Sequence, residues 1–311
     1  MRAVVINEYG SKNVLVGQEL PKPEIKANQV LVEVYATSIN PIDWKLRAGY
    51  LKQMFDWTFP IILGWDVAGK IVEVGSEVTY FQVGDEVFAR PDTTAEGTYA
   101  EFTTVDEELL AKKPSNLTFE EAASIPLAGL TAWQSLVDNT KVKQGDKVLI
   151  HAGAGGVGSL AIQMAKHFGA FVATTASEKN EAYVKELGAD EFINYRIQKF
   201  EEELSDYDVV IDTMGGDILN KSFQILKPGG RLVTIAGQPD LALTEKHQVT
   251  ASSHWLKPNG KQLGEIGELL EKRILKPQVG SVFDFSAEAL QKAHELSETH
   301  HAKGKIVIKV K

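Results

Sequence analysis

The sequence predicts an α/β chain of two domains, one β-rich and one organised around a doubly wound parallel sheet. Three observations predict it. The chain has 311 residues, 43% of them hydrophobic, enough for two cores of ordinary domain size. Residues 1 to about 120 read as short β-type runs broken by Gly, Pro and Asp. From about 124 to 260 strand-like runs alternate with helical ones, the pattern of right-handed βαβ crossovers over a sheet covered on both faces.

Taken in order, the first part holds AVVI, QVLVEVYATSI, VAGKIVEVG, DEVFA and TYAEFTTV. Their apolar content and flanking turn residues fit an all-β or barrel-like unit with few helices. The second part pairs KVLIHA with VGSLAIQMAKHF, FVATTA with EKNEAYVKELG, EFINY with QKFEEEL and DVVIDTM with ILNKSFQIL, and closes on RLVTIAG. After residue 260 come two helical patterns, KQLGEIGELLEKRI and SAEALQKAHELSETH, then the strand GKIVIKV. That strand is too short to stand alone and is expected to rejoin the first unit. The domains are therefore drawn as 1–123 with 261–311, and 124–260. No repeat, low-complexity tract or long linker interrupts them.

A formal net charge of -9 and a pI near 5.4 oppose a general nucleic-acid or anionic-membrane surface, although a local basic pocket remains compatible with them. No run of eighteen apolar residues occurs, so no membrane span is expected. MRAVVINEYG passes directly into a strand pattern, without the long apolar region of a signal peptide, and a cytoplasmic location is expected. The chain has no cysteine, which removes disulfides, thiolate nucleophiles and thiolate metal sites together. Sites built from His and carboxylates stay open on that count.

The segment HAGAGGVGSLAIQMAKHFGA places Gly153, Gly155 and Gly158 at G-x-G-x-x-G spacing. An apolar strand enters it, and Val157, Leu160, Ala161 and Met164 recur behind it at helical spacing, which is the context a dinucleotide loop needs. Gly155 and Gly156 remove side chains where a pyrophosphate would lie, and the helix start offers free N–H groups and partial positive charge. Gly158 allows close packing of helix on strand. His151 reads as a packed polar residue. An NAD site would carry an acid near the end of the second strand; Thr175, Ala176 and Ser177 stand there instead. A hydroxyl with Lys179 nearby suits a 2'-phosphate, and Tyr195 and Arg196 at the next strand end could close the pocket. Lys179 and Arg196 also read as ordinary solvated charges.

GLTAW at 129–133, HAGAGGVG at 151–158, ELGAD at 186–190, LKPGGRLV at 226–233 and GKIVI at 304–308 together resemble the medium-chain dehydrogenase/reductase superfamily. More narrowly, they resemble its zinc-free quinone oxidoreductase branch. The resemblance implies a GroES-like catalytic domain from both chain ends, a Rossmann-type domain between them, the active site in the cleft, and a homodimer formed through the edge strand near VTASSHW. In the family's zinc alcohol dehydrogenases a cysteine follows the early strand and a histidine sits in Gly-His-Glu. The matching places read SINPID and GWD, and ARPDTTAEGTYAEF has no counterpart of the four-cysteine zinc lobe. No metal is expected.

Without a Lewis acid, alcohol oxidation is poorly supported. Reduction of a quinone or an activated C=C needs mainly orientation and a donor for developing oxyanion charge. Asn40 is the strongest candidate donor, since the family places an asparagine of similar context in the cleft; it also fits a helix N-cap before Pro41 and Asp43. Asp43 and Lys45 are candidates on the same turn. Trp65 and Tyr50 fit either an aromatic slot for flat substrates or core packing, and Asp66 reads as structural. Thr131 in GLTAW falls where the family contacts nicotinamide. Ala236 and Gly237 follow the strand LVTI beside the expected crevice.

The reading is an NADPH-dependent, zinc-independent reductase of quinones or α,β-unsaturated carbonyls. Its rivals are an enoyl-thioester reductase and a dinucleotide-binding protein with vestigial activity that acts through protein or RNA contacts.

Overall fold

The computed structural model describes residues 1–311. The chain divides into two units, Met1–Leu130 with Pro258–Arg273 and Pro277–Lys311, and Thr131–Lys257 with Ile274–Lys276.

The first unit begins with β1 (Arg2–Ile6), β2 (Leu15–Glu19), β3 (Gln29–Ile39), α1 (Pro41–Arg47), β4 (Ile61–Ile62), β5 (Val67–Val74), β6 (Glu86–Ala89), β7 (Phe102–Asp106), β8 (Leu110–Lys112) and α2 (Phe119–Ala123). Helix α3 (Pro126–Trp133) carries the chain into the second unit, which holds β9 (Lys147–Ile150), α4 (Gly156–His167), β10 (Phe171–Ala176), α5 (Glu181–Glu186), β11 (Glu191–Asn194), α6 (Phe200–Glu203), β12 (Tyr207–Asp212), α7 (Gly216–Ser222), β13 (Leu226–Thr234), α8 (Leu241–His247) and β14 (Thr250–Ser253). The first unit is completed by α9 (Gly260–Glu271), β15 (Val279–Asp284), α10 (Ala287–Glu298) and β16 (Lys305–Lys309).

In the first unit a small sheet of order β2-β1-β4 accompanies a larger one of order β15-β16-β3-β5-β6-β8, with β7 also on β3. The closing strand does rejoin this unit: β16 runs antiparallel to β3, with Ile306 opposite Ile39 and Lys309 opposite Ala36. Strand β3 is long because Val30, Val32, Val34 and Ala36 are all buried and supply one continuous apolar face. It stops at Asn40-Pro41. Proline at the first helical position has its φ already set for α1 and no N–H to lose. TYAEFTTV does not form a single strand. Only Phe102–Asp106 joins the sheet, while Tyr99 accepts from the Val4 N–H at 2.8 Å and Ala100 bridges Ala3, so the segment is shared with β1.

The second unit is one parallel sheet of order β11-β10-β9-β12-β13-β14. The chain winds outward from β9 to β11, then returns to β12 and winds the other way. The reversal lies between β9 and β12, and in such sheets ligands bind beyond the strand carboxyl ends at this point. Leu149, Ala173, Val210 and Leu232, one from each central strand, meet Phe223 and Ile225 in the core. No helix of the chain is long and apolar enough to cross a membrane.

Candidate active site

In the first unit the turn from β3 into α1 is organised around Asn40, which is 2% exposed. Its Nδ2 donates to Asp66 Oδ2 at 2.7 Å, and its Oδ1 accepts from Lys305 Nζ at 2.5 Å. Asp66 also accepts from Ser38 Oγ at 2.5 Å and from the Leu127 N–H at 2.7 Å, and lies 3.3 Å from Lys305 Nζ. Lys305 completes its set by donating to the Ile39 carbonyl at 3.0 Å. A buried ammonium and a buried carboxylate persist here because each is paired and hydrogen-bonded.

A second chain of contacts joins this one through Asp43. Its Oδ2 accepts from the Asn40 N–H and from Tyr99 Oη, both at 2.8 Å, and its Oδ1 has no partner. Burial pushes the Asp43 carboxyl up to about 7, opposed by those two hydrogen bonds and by the charge of Lys305. Tyr99 Oη lies 3.1 Å from His294 Nε2, His294 Nδ1 lies 3.2 Å from Arg47 Nη1, and Arg47 Nη2 reaches Glu298 at 2.6 Å. Burial, then the Arg47 charge, pushes His294 down to about 3, so the ring is neutral. Since Arg47 can only donate, Nδ1 is the acceptor and Nε2–H donates to Tyr99.

Of the residues expected at the reaction centre, the structure brings Asn40 and Asp43 into this network and leaves two outside it. Trp65 is fully buried in the apolar core, its indole N–H 3.3 Å from the Thr94 carbonyl and its ring 6.0 Å from Trp57. Lys45 is half-buried with Nζ 5.6 Å from the Trp44 ring centre. Tyr50 is exposed and packs edge-on against Trp44. Lys305, Tyr99, Arg47 and His294 join the network without any motif in the sequence that marks them. The one signal, for Lys305, was a lysine opening an otherwise apolar run, GKIVI.

In the second unit the glycine loop separates glycines the fold needs from one it does not. A Cβ on Gly153 would strike the Thr174 side chain, and one on Gly158 would strike the Ala152 carbonyl and come within 2.8 Å of Gly153 Cα. At Gly155, with φ -83°, the nearest atom to an added Cβ is the Ala152 oxygen at 3.3 Å. The absence of a side chain there leaves room for something outside the chain. Helix α4 begins directly behind it, so the N–H groups of Gly156, Val157 and Gly158 form the unpaired first turn of a helix. These residues fit a dinucleotide pyrophosphate.

Thr175 supports this loop from below. Its hydroxyl accepts from the Ala152 N–H at 3.1 Å and lies 3.2 Å from His151 Nδ1, so it is engaged within the unit. His151 Nε2 lies 2.9 Å from Ser222 Oγ, and burial pushes the ring down to about 4 against the pull of Asp212 and Glu201; it is a neutral packed histidine. Asp212 accepts from the Gly215 N–H at 3.0 Å and Thr234 Oγ1 at 2.6 Å, and Thr234 Oγ1 accepts from the Ala236 N–H. That anchors the exposed Ala236-Gly237 turn beyond β13. Thr131, in α3, is buried.

The ends of β10 and β11 lie side by side, Ala176 opposite Asn194. Around them stand Ser177, whose Oγ accepts from Asn180 Nδ2 at 3.2 Å, and the exposed Lys179, Tyr195 and Arg196. Neither Lys179 nor Arg196 is in an ion pair, and the nearby acid Glu178 is exposed.

Residues 26–115 match the family model described as the alcohol dehydrogenase GroES-like domain, and residues 187–308 match the zinc-binding dehydrogenase model. The chain is 39% identical over 320 residues, spanning 99% of it and 79% of the relative, to an NADPH-dependent alkenal/one oxidoreductase, chloroplastic, of Arabidopsis thaliana. A quinone oxidoreductase structure from Coxiella burnetii superposes with a TM-score of 0.92 at 38% identity, over 100% of this chain and 99% of that one. The Escherichia coli quinone oxidoreductase complexed with NADPH superposes with a TM-score of 0.89 at 25% identity over the whole of both chains. The chain therefore belongs to the medium-chain dehydrogenase/reductase superfamily, with a GroES-like unit and a Rossmann-type unit. It is an oxidoreductase that works with a nicotinamide dinucleotide.

Proposed function

We propose that the protein reduces quinones or α,β-unsaturated carbonyls with NADPH and without zinc. The observation that carries this is the state of Asn40. One amide N–H goes to Asp66 and the other has no acceptor within the chain, so a fixed donor stands where zinc relatives place a thiolate. Bound nicotinamide supplies hydride. Asn40 donates to the carbonyl or quinone oxygen as it gains negative charge, and solvent supplies the proton. Gly153, Gly155, Gly156, Val157 and Gly158 hold the pyrophosphate; Thr131, Ala236 and Gly237 lie along the nicotinamide half. Asp43 backs Asn40 from the helix start, through the Asn40 N–H. The names of its relatives, an alkenal/one oxidoreductase and quinone oxidoreductases, support this reading.

NADPH oxidation with a panel of quinones, enones and acyl-thioesters tests it. Turnover with quinones or enones is expected; turnover confined to thioesters, or tight NADPH binding with none, would replace this reading by one of its rivals. Asn40→Ala should lower kcat roughly 10- to 1000-fold while leaving NADPH affinity nearly unchanged. Prolonged chelation should leave turnover intact, because the chain has no cysteine and carries Trp65 in place of the ligand histidine.

NADPH is preferred over NADH because Ser177, Lys179, Tyr195 and Arg196 offer hydroxyls and positive charge to a 2'-phosphate. Lys179→Ala or Arg196→Ala should raise the NADPH Kd about 10- to 150-fold and leave NADH nearly unaffected. Equal weakening of both cofactors would place the phosphate elsewhere. The same proposal includes a homodimer through the edge strand β14, which pairs only with β13, and a cytoplasmic location. Sedimentation and cell fractionation test these two.

A further inference from the structure

We infer that Lys305 is a positioning residue for the reduction: its ammonium, opposed by the Asp66 carboxylate, locks the Asn40 amide in the one orientation that presents an N–H to substrate and polarises that N–H. The inference rests on the reading of Asn40 as the oxyanion donor and deepens it.

An asparagine amide can flip by half a turn with little change in shape, so what fixes it is its partners. Here they carry opposite charges. Lys305 Nζ lies 2.5 Å from Oδ1 and Asp66 Oδ2 lies 2.7 Å from Nδ2. The flipped amide would set an N–H against the ammonium and the oxygen against the carboxylate, two repulsive contacts in a buried site. The observed orientation makes both attractive and leaves the second N–H uncommitted. An ammonium on the amide oxygen also draws electron density away from the nitrogen, which makes the remaining N–H a stronger donor.

Stability alone gives a poor account of the lysine. It opens β16, where Ile306, Val307 and Ile308 are buried apolar residues, and it is itself 5% exposed. A buried ion pair is often no more stabilising than apolar residues of similar volume. All three ammonium hydrogens are committed, to the Ile39 carbonyl, Asn40 Oδ1 and Asp66 Oδ2, and every one of these acceptors lies at the β3–α1 turn or beside it. The charge is aimed at this turn.

The test is the set Lys305→Met, Asn40→Ala and the double variant, assayed with p-benzoquinone and with methyl vinyl ketone as probes, with kcat expressed per NADPH-binding site and NADPH Kd measured separately. Lys305→Met should lower kcat about 10- to 100-fold with both probes, with NADPH Kd changed by no more than about twofold. The double variant should be about as slow as Asn40→Ala alone, because the lysine acts through that amide. If the two losses multiply, or if Lys305→Met keeps the parent kcat while Asn40→Ala is slow, the inference falls and the oxyanion reading survives. Parent kcat in Asn40→Ala overturns both. Should Lys305→Met not fold, the paired variant Asp66→Asn with Lys305→Met removes both buried charges together. A slow pair with intact NADPH binding supports the inference, and a pair with parent kcat overturns it.

Discussion

Asp43 shows how far a single residue can be read from its place in the chain. Its position three residues after Asn40 predicts a helix-start contact, and the structure contains it, Asn40 N–H to Asp43 Oδ2 at 2.8 Å. Nothing local predicts Tyr99 on the same oxygen or the burial that moves the carboxyl up to about 7. Those follow from a segment 56 residues away in sequence folding across α1. The shift sets a sign for stability. Between pH 3.8 and about 7 the native state keeps a proton that the unfolded state has lost, so stability from this group is full below pH 3.8 and falls as pH rises through 7. Asparagine carries no such charge. Asp43→Asn should therefore gain on the parent by about 2 to 3 kcal/mol between pH 5 and pH 8, read as the difference in urea unfolding free energy at the two pH values. A constant difference would show that Asp43 is ionised throughout. Lys305 was illegible for the same reason: its acceptors come from β3 and from Asp66, and a linear scan of GKIVI shows only a lysine in a strand.

Among elements, the βαβ half was more legible than the β-rich half. Alternation of strand-like runs with helical patterns locates β9 to β13, most clearly β9, β10 and β12, which are buried along nearly their whole length. Strand β2, LVGQE, buries only Leu15 and leaves the rest exposed, so its sequence carries no period to detect. β7 was legible only in part, because the residues before it pair with β1. The glycine loop was legible as a motif, but the motif does not say which glycine serves the fold and which the ligand. The added-Cβ geometry does, and it makes a contrast to measure. Gly155→Ala meets only the Ala152 oxygen at 3.3 Å in a backbone conformation open to alanine, so it should lose much less stability than Gly158→Ala and raise the NADPH Kd tenfold or more, roughly the loss of one charge-assisted hydrogen bond. Gly158→Ala must displace backbone at Ala152 and Gly153 and should lose about 1 to 3 kcal/mol of stability. Parallel melting curves and NADPH titrations compare them. Equal melting losses in both variants would mean that Gly155 also serves the fold.

At the scale of the whole molecule the two units carry different balances of buried titrating groups, and acid should separate them. The first unit holds His294, pushed down to about 3, and Asp43, pushed up to about 7. Between about pH 4.5 and 6.5 the unfolded unit binds a proton on the histidine that the native unit refuses, while the native unit keeps one on Asp43 that the unfolded unit has released. The two contributions oppose and nearly cancel. The second unit holds His151, pushed down to about 4 with no raised carboxyl to offset it, and burial lowers His254 in the same direction. A histidine held neutral contributes stability that is present above its unfolded value of 6.5 and is lost as pH falls toward its folded one. Going from pH 7 to pH 5, His151 alone should take about 2 kcal/mol from the second unit, with little change in the first. Hydrogen exchange followed by mass spectrometry reads opening in each unit separately. After correction for intrinsic exchange rates, protection at pH 5 should fall in peptides from β9, β10 and β12 and hold in those from β3, β5 and β16. Undiminished protection in the second unit at pH 5 would show that His151 is not held neutral there, and a matching loss in the first would show that Asp43 does not offset His294.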